Sequence, residues 1–224
     1  MTRITIAIDG PSGAGKSTTA RGLAASLGYT YIDTGAMYRA IAWKGLQAGV
    51  PIEDEEATTR LAESTTITFE PAADGSQRVL VDGQNVTDAI RAPDVTRLSS
   101  PVSAIPGVRR VLVAQQQTMG AGGGVVMEGR DIGTVVFPHA ELKVFLTASD
   151  EERAHRRCKE MKARGLDVKE EEVLEQQRER DTRDSSRANS PLTPAPDSIQ
   201  LVSDKLNLEQ VIERILELAR QRSA

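Results

Sequence analysis

Apolar positions along the chain fall into short runs bounded by glycine, separated by stretches that repeat at three and four residues. ITIAID (4–9) is one such run, ended by Gly10, and reads as a strand buried on both faces. Helical character from Lys16 to Leu27 and a second run, YTYID (29–33), complete the strand, loop, helix, strand order of a βαβ unit. DTGAMYRAIAWKGLQAG then predicts a turn and an amphipathic helix, with Met37, Ile41 and Leu46 near one face. From about 64 to 92 the period changes to two. TTITFEP and QRVLVDGQNVT alternate apolar with polar residues across ADGS, a hairpin signal, which predicts a small antiparallel sheet inserted into an α/β chain.

Helical spacing returns around Val108–Met119 after Pro106-Gly107, and GAGGG (120–124) stops it. VVME (125–128), LKVFL (142–146) and SIQLV (198–202) are further buried-strand candidates. Between the last two lies a charged helical region, 149–187, broken near Gly165, with Arg164-Gly165 as a candidate tip; NSPLTPAPDS reads as a connector. Asn207 followed by Gln210 is a capping-box pattern, and Val211, Ile212, Ile215, Leu216 and Ala219 form the stripe of a last helix packed on the core.

The 224 residues suit a single domain carrying an insertion at about 60–105 and a helical region at about 149–187. No apolar run approaches the roughly 18 residues that span a bilayer, and MTRITIAIDG is too short for a signal peptide, so a cytoplasmic protein without membrane partners is expected. Cys158 is the single cysteine, which excludes an internal disulfide framework and suits a filler position on a helix. His139 and His155 show no ligand spacing, and surface positions suit both. A net charge of −4 and 3% aromatic residues offer neither a global positive field nor a base-stacking platform, so nucleic acid is not the expected partner. A monomer acting on small molecules is expected.

Any anion site must therefore be local, and one is visible. Gly10, Gly15, Lys16 and Ser17 satisfy G-x-x-x-x-G-K-[ST] after a predicted strand and at the start of a predicted helix. Such a loop, Gly10, Pro11, Ser12, Gly13, Ala14, Gly15, Lys16, Ser17 and Thr18, turns successive N–H groups and a helix N-terminus toward triphosphate oxygens. Lys16 would reach the β- and γ-phosphates and the Ser17 hydroxyl would ligate Mg²⁺. Neither the N-K-x-D of guanine-binding GTPases nor the L-S-G-G-Q of transporter ATPases occurs, which leaves phosphoryl transfer to a small acceptor as the leading class. Arginines at strand and helix ends fit that class: Arg39, Arg109, Arg130, Arg153, Arg156, Arg157, Arg180, Arg183 and Arg187. In RERDTRDSSR (178–187) acids and arginines recur at three- and four-residue steps, on facing turns.

GPSGAGKST, DTGAMYR, EGRDIGTVVFP, EERAHRR and RDTRDSSRANSPL, in that order, resemble the motif series of the bacterial cytidylate (CMP/dCMP) kinases. The resemblance runs from residue 4 to about 216. It implies an α/β P-loop nucleoside monophosphate kinase fold, with a five-stranded parallel sheet flanked by helices, a small β-rich NMP-binding insert and a helical lid. It also implies the reaction ATP + CMP → ADP + CDP, with dCMP accepted and Mg²⁺ required. On that resemblance Arg39 falls on the acceptor phosphate, Ser100 and Arg109 on sugar and base, and Arg130 and Asp131 on phosphate and cytosine. Arg180, Asp184 and Arg187 fall around the pentose and acceptor, and Arg153, Arg156 and Arg157 in the lid. Lys16, Arg130, Arg180, Arg153 and Arg157 are the implied charge-neutralising residues.

Two positions depart from the usual series. Thr34 stands where a serine touching the base is common, and Glu128 stands where an aspartate ends the third core strand, so Glu128 and Asp33 are the candidates for the water shell of Mg²⁺. The chemistry of cytosine agrees with the resemblance: Asp131 can accept from the N4 amino group while Arg109 donates to N3 or O2, a pairing that uracil would mismatch. A phosphate acceptor is anionic at neutral pH and needs no general base. A hydroxyl acceptor would need one, a role Asp33 could fill. UMP or a shikimate-like acceptor, and a regulatory ATPase whose arginines bind a partner protein, remain alternatives at this point.

Overall fold

The computed structural model describes residues 3–72, 76–163 and 165–223. They fall into two compact units, one formed by Met1–Tyr31 with Gly122–Ala224 and the other by Ile32–Ala121. The second is wider than the insert expected at 60–105, because the helices flanking the small sheet pack with it.

The first unit is built on the parallel sheet. Strands β1 (Thr5–Asp9), β2 (Thr30–Asp33), β6 (Val125–Gly129), β7 (Leu142–Thr147) and β8 (Ile199–Val202) stand in the order β2-β6-β1-β7-β8. β1 lies at the centre, parallel to β6 with Ile8 opposite Glu128, and parallel to β7 with Asp9 opposite Phe145. That register brings the C-terminal ends of β1 and β6 side by side, where ligands of open α/β sheets bind. Helices α1 (Lys16–Leu27) and α8 (Leu208–Arg222) cover the sheet, and Leu23, Val211, Ile215 and Ala219 join Ile6, Ile8, Val126, Val144 and Leu146 in its core. The expected capping box is present: the Gln210 amide donates to the Asn207 side chain at 2.9 Å, and the Asn207 amide donates to the Gln210 side chain at 3.0 Å.

The charged region forms two helices, α6 (Asp150–Ala163) and α7 (Glu170–Ser185). Ala154, Cys158 and Val173 make a small apolar cluster between them, so Cys158 is buried filler as expected. Of the expected tip, Arg164 lies outside the described residues.

In the second unit α2 (Thr34–Ala48), α3 (Glu55–Glu63), α4 (Pro93–Ala104) and α5 (Pro106–Gly120) pack with an antiparallel sheet in the order β3-β4-β5. Its strands are β3 (Ile67–Pro71), β4 (Gln77–Val81) and β5 (Gln84–Asn85). Residues 73–75 of the expected ADGS turn lie outside the described residues. A tight hairpin turn does occur one strand later, at Asp82-Gly83, with φ of 51° and 83°, the signs a type I′ turn requires. Lys44 of α2 donates to the Asp82 carboxylate at 2.6 Å and to the Thr65 hydroxyl at 2.9 Å, holding the sheet to the helix. Met37 and Ile41 are buried in this core, but Leu46 is 44% exposed. Five residues beyond Ile41, Leu46 is turned about 140° from it around the helix, off the shared face.

Candidate active site

The Gly10–Thr18 loop leaves the central strand and winds directly into α1. Gly10 has φ +148°, and a Cβ there would meet the Leu146 carbonyl oxygen at 1.9 Å, so the backbone of β7 excludes any side chain. Gly13, at φ +78°, is pressed against α6 and α7, where a Cβ would lie 2.6 Å from Gln177 Nε2 and 2.9 Å from the Arg153 carbonyl oxygen. Lys16 is 6% exposed, and its Nζ donates to the Pro11 carbonyl at 2.7 Å, so the chain bends back over its own loop. Burial, with the guanidinium of Arg130 and more weakly that of Arg180, pushes its pKa down to about 7, against the opposing charge of Glu128. A triphosphate entering this loop would restore a strong preference for the charged amine.

Asp184 gathers the neighbouring arginines. Its carboxylate is 3% exposed and accepts from Arg130 Nε at 3.0 Å, with Arg180 Nε and Arg187 Nη1 each at 4.0 Å. Burial pushes the Asp184 carboxyl up, but the three guanidiniums outweigh it and hold the group ionised, below the usual carboxylate range. Two of these three cations, Arg130 and Arg180, also act on Lys16. The three- and four-residue recurrence read in RERDTRDSSR therefore has a physical counterpart: Arg180 and Arg187 flank Asp184, which pairs with Arg130, while Asp181 pairs with Arg153.

The loop after β6 carries Arg130 and Asp131 and continues into a wide helical turn, Ile132–Val136, in which the Phe137 amide reaches back to the Ile132 carbonyl at 2.7 Å. Asp131 is buried. Glu128, at the end of β6, is 4% exposed, and the Tyr31 hydroxyl donates to its Oε1 at 2.6 Å. The longer carboxylate thus has a phenol from the edge strand to hold it. Ser17 is exposed in the first turn of α1. An exposed hydroxyl and a buried carboxylate are hard oxygen donors of the kind Mg²⁺ takes when most of its shell is phosphate and water. Among the described residues, no cluster of three His, Cys, Asp or Glu side chains could hold a metal by itself.

The arginines of α6 are engaged with protein. Arg153 is 4% exposed and donates through Nη1 to the Ser12 carbonyl at 2.8 Å and to Asp181 at 2.5 Å, through Nη2 to Asp150 at 2.6 Å, and through Nε to the Ala148 carbonyl at 3.2 Å. It clasps α6, α7 and the glycine loop together. Arg156 donates to the Ser203 hydroxyl and carbonyl at 3.0 and 2.9 Å, and Arg157 pairs with Glu160 at 2.9 Å.

In the second unit Asp33 caps α2: Oδ1 accepts from the Ala36 amide at 2.9 Å and Oδ2 from Arg39 Nη2 at 2.9 Å. Burial alone would raise its pKa; Arg39, with the Ala36 amide and Arg91, more than reverses that and holds it low. Thr34 is the buried first residue of α2. Arg109 of α5 is buried, donates to the Ser103 carbonyl at 3.2 Å and lies over the Tyr38 ring with its carbon 5.6 Å from the centroid. Ser100 is buried on α4, and its carbonyl accepts from the Ser103 hydroxyl at 2.8 Å, so Ser100, Ser103 and Arg109 form one hydrogen-bonded corner. Tyr31, Tyr38 and Gln177 were not legible as site residues, whereas Asp181 belongs to the acid and arginine recurrence of RERDTRDSSR. Of the first three, only Tyr38 had a local signal, four residues after Thr34 on the same helix.

Comparisons with known proteins agree with the geometry. A family model described as cytidylate kinase matches residues 6–221. A bifunctional pantoate ligase/cytidylate kinase of Synechococcus sp. (strain JA-3-3Ab) is 55% identical over 218 residues, covering 96% of this chain and 40% of the relative. The chain thus spans less than half the length of such curated relatives. A cytidylate kinase of Geobacillus kaustophilus (strain HTA426) is 50% identical over 220 residues, covering 98% of each chain. Among solved structures, a gluconokinase from Sinorhizobium meliloti 1021 superposes with a TM-score of 0.50 at 17% identity, over 99% of this chain and 94% of that one, a likeness of fold alone.

Proposed function

The chain belongs to the cytidylate kinase family, and from that premise we propose that it transfers the γ-phosphoryl group of ATP to CMP or dCMP, giving CDP or dCDP. The observation that carries the reading is the buried Lys16 of the glycine loop, with Arg130 and Arg180 close enough to depress its pKa. Cations held close together out of water are suited to a group whose negative charge spreads over its oxygens in transfer.

The Gly10–Thr18 loop binds the ATP phosphates, with Lys16 on the β- and γ-oxygens. In the first unit Arg130 and Arg180 neutralise the transferring group, Asp131 accepts from the cytosine amino group, and Asp184 and Arg187 meet the pentose and acceptor. In the second unit Arg39 takes the acceptor phosphate, and Thr34, Ser100 and Arg109 take base and sugar. Ser17 would hold Mg²⁺, with Glu128 orienting its water shell; the ion neutralises phosphate charge. Arg153 supports catalysis by fixing Ser12, and Arg157 belongs to the lid surface.

The acceptor phosphate is an anionic nucleophile at neutral pH, so positioning and charge neutralisation suffice. Asp33 supports the same conclusion: a carboxylate that caps a helix and pairs with Arg39 is a poor base for a hydroxyl acceptor. ADP release from Mg-ATP, measured with CMP, dCMP, UMP, AMP, shikimate and no acceptor, tests the reading. Fast turnover is expected with CMP and dCMP and slower turnover with UMP. ATP hydrolysis indifferent to CMP would overturn it. Among the described residues no helix is long and apolar enough to cross a membrane.

A further inference from the structure

Asp9, the last residue of β1, stands directly before the glycine loop, yet its carboxylate serves as a hydrogen-bond acceptor for a different loop. Oδ1 accepts from the Ile132 amide at 2.8 Å and Oδ2 from the Gly133 amide at 2.7 Å. Both donors belong to the first residues of the wide turn that follows Arg130-Asp131, and all partners are buried. Gly133 is closed in from both sides: a Cβ there would lie 3.2 Å from Lys143 Cδ and 3.4 Å from Asp9 Oδ2. A charged acceptor bridging two consecutive backbone donors fixes the orientation of a loop more tightly than a single neutral bond would.

We propose that Asp9 is a positioning residue for nucleotide selection, clamping the loop that carries Arg130 and Asp131 so that Asp131 meets the base at a fixed angle. The inference rests on the assignment of Asp131 to cytosine in the proposed function. It assigns to the strand end before a phosphate loop a second task, on a different substrate from the one the loop binds.

The clamp has a proton-dependent side. Burial pushes the Asp9 carboxyl up to about 6, against the two amide bonds that favour its ionised form. The charged groups facing it are Asp131 on the clamped loop, which raises it further, and Lys16 at the start of α1, which lowers it; Lys143 of β7 covers Gly133 with its methylenes and spends its amine on Asp197 and the Pro138 carbonyl. A protonated carboxyl cannot accept from both amides with equal strength.

The test is the ratio of kcat/KM for CMP to that for UMP, in the wild-type enzyme and in Asp9→Asn, with KM for ATP measured alongside. The ratio is expected to fall about tenfold or more in Asp9→Asn while KM for ATP stays within about twofold. In the wild type the ratio is expected to fall between pH 7.5 and pH 5 and to be flat in Asp9→Asn. The second pKa of the monophosphate, near 6, is common to both acceptors and cancels in the ratio. An unchanged ratio in a folded variant, or a KM for ATP that rises as much as that for CMP, overturns the assignment. If Asp9→Asn fails to fold, the wild-type pH dependence decides, and a flat wild-type ratio overturns it. Absence of CMP turnover by the wild type would instead remove the functional reading itself.

Discussion

At the scale of the residue, the site is governed by which cations are already satisfied by protein and which are left for phosphate. Lys16 has one neutral carbonyl partner, at 2.7 Å, and burial with Arg130 and Arg180 outweighs Glu128 and Asp9 in disfavouring its charge, so it has much to gain from an anion. Lys16→Ala is expected to lower turnover by a factor of about 100 or more while leaving the thermal shift produced by CMP nearly intact. Equal turnover would remove it from the mechanism. Arg153 is the opposite case, its guanidinium held by the Asp150 and Asp181 carboxylates and by the Ser12 and Ala148 carbonyls. Removing it strands the Ser12 carbonyl and Asp181, and Arg153→Ala is expected to destabilise the fold by about 3 kcal/mol in denaturant titrations, more than a surface ion pair would. The glycine-loop pattern placed Lys16 on phosphate, while the resemblance alone placed Arg153 among the charge-neutralising residues. Arginines near a P-loop look alike in a motif, and only the positions of Asp150, Asp181 and the Ser12 carbonyl separate the clasp from the reagent.

At the scale of the element, legibility followed local signals. The strands at 5–9, 125–129 and 142–147 were legible because a buried parallel strand is a continuous apolar run between glycines. The last helix was legible from its cap and stripe. The tight turn at Asp82-Gly83 carries its own local hairpin signal, an Asp-Gly pair; what was not legible depended on distant partners, as in the engagement of Glu128 by Tyr31, residues 97 positions apart. Asp9 was missed for the same reason, since its partners lie 123 and 124 residues on. Packing of α8 on the sheet gives a quantitative expectation: Ile215, fully buried, when truncated to alanine should lower unfolding free energy by about 2–5 kcal/mol. A loss below 0.5 kcal/mol would contradict the description of that core.

At the scale of the whole molecule, the buried carboxylates make stability depend on pH in opposing directions. Asp33 and Asp184 are held below 3.8 in the fold, so their contribution is present above the unfolded pKa and lost as pH falls through the folded value. Asp9 is raised from 3.8 to about 6, so the folded state binds its proton more tightly and stability falls as pH rises through that window. The wild type should therefore lose about 2 kcal/mol of unfolding free energy relative to Asp9→Asn between pH 4 and pH 7. A difference that stays constant with pH would contradict the buried, ionised Asp9.

The central claim is that the cations around Lys16 serve transfer of a phosphoryl group to another phosphate. Following the label from γ-labelled ATP in the presence of Mg²⁺ and CMP tests it most directly. The account predicts that the label appears in CDP in step with ADP formation. Label recovered as inorganic phosphate, with CMP unchanged, would contradict it.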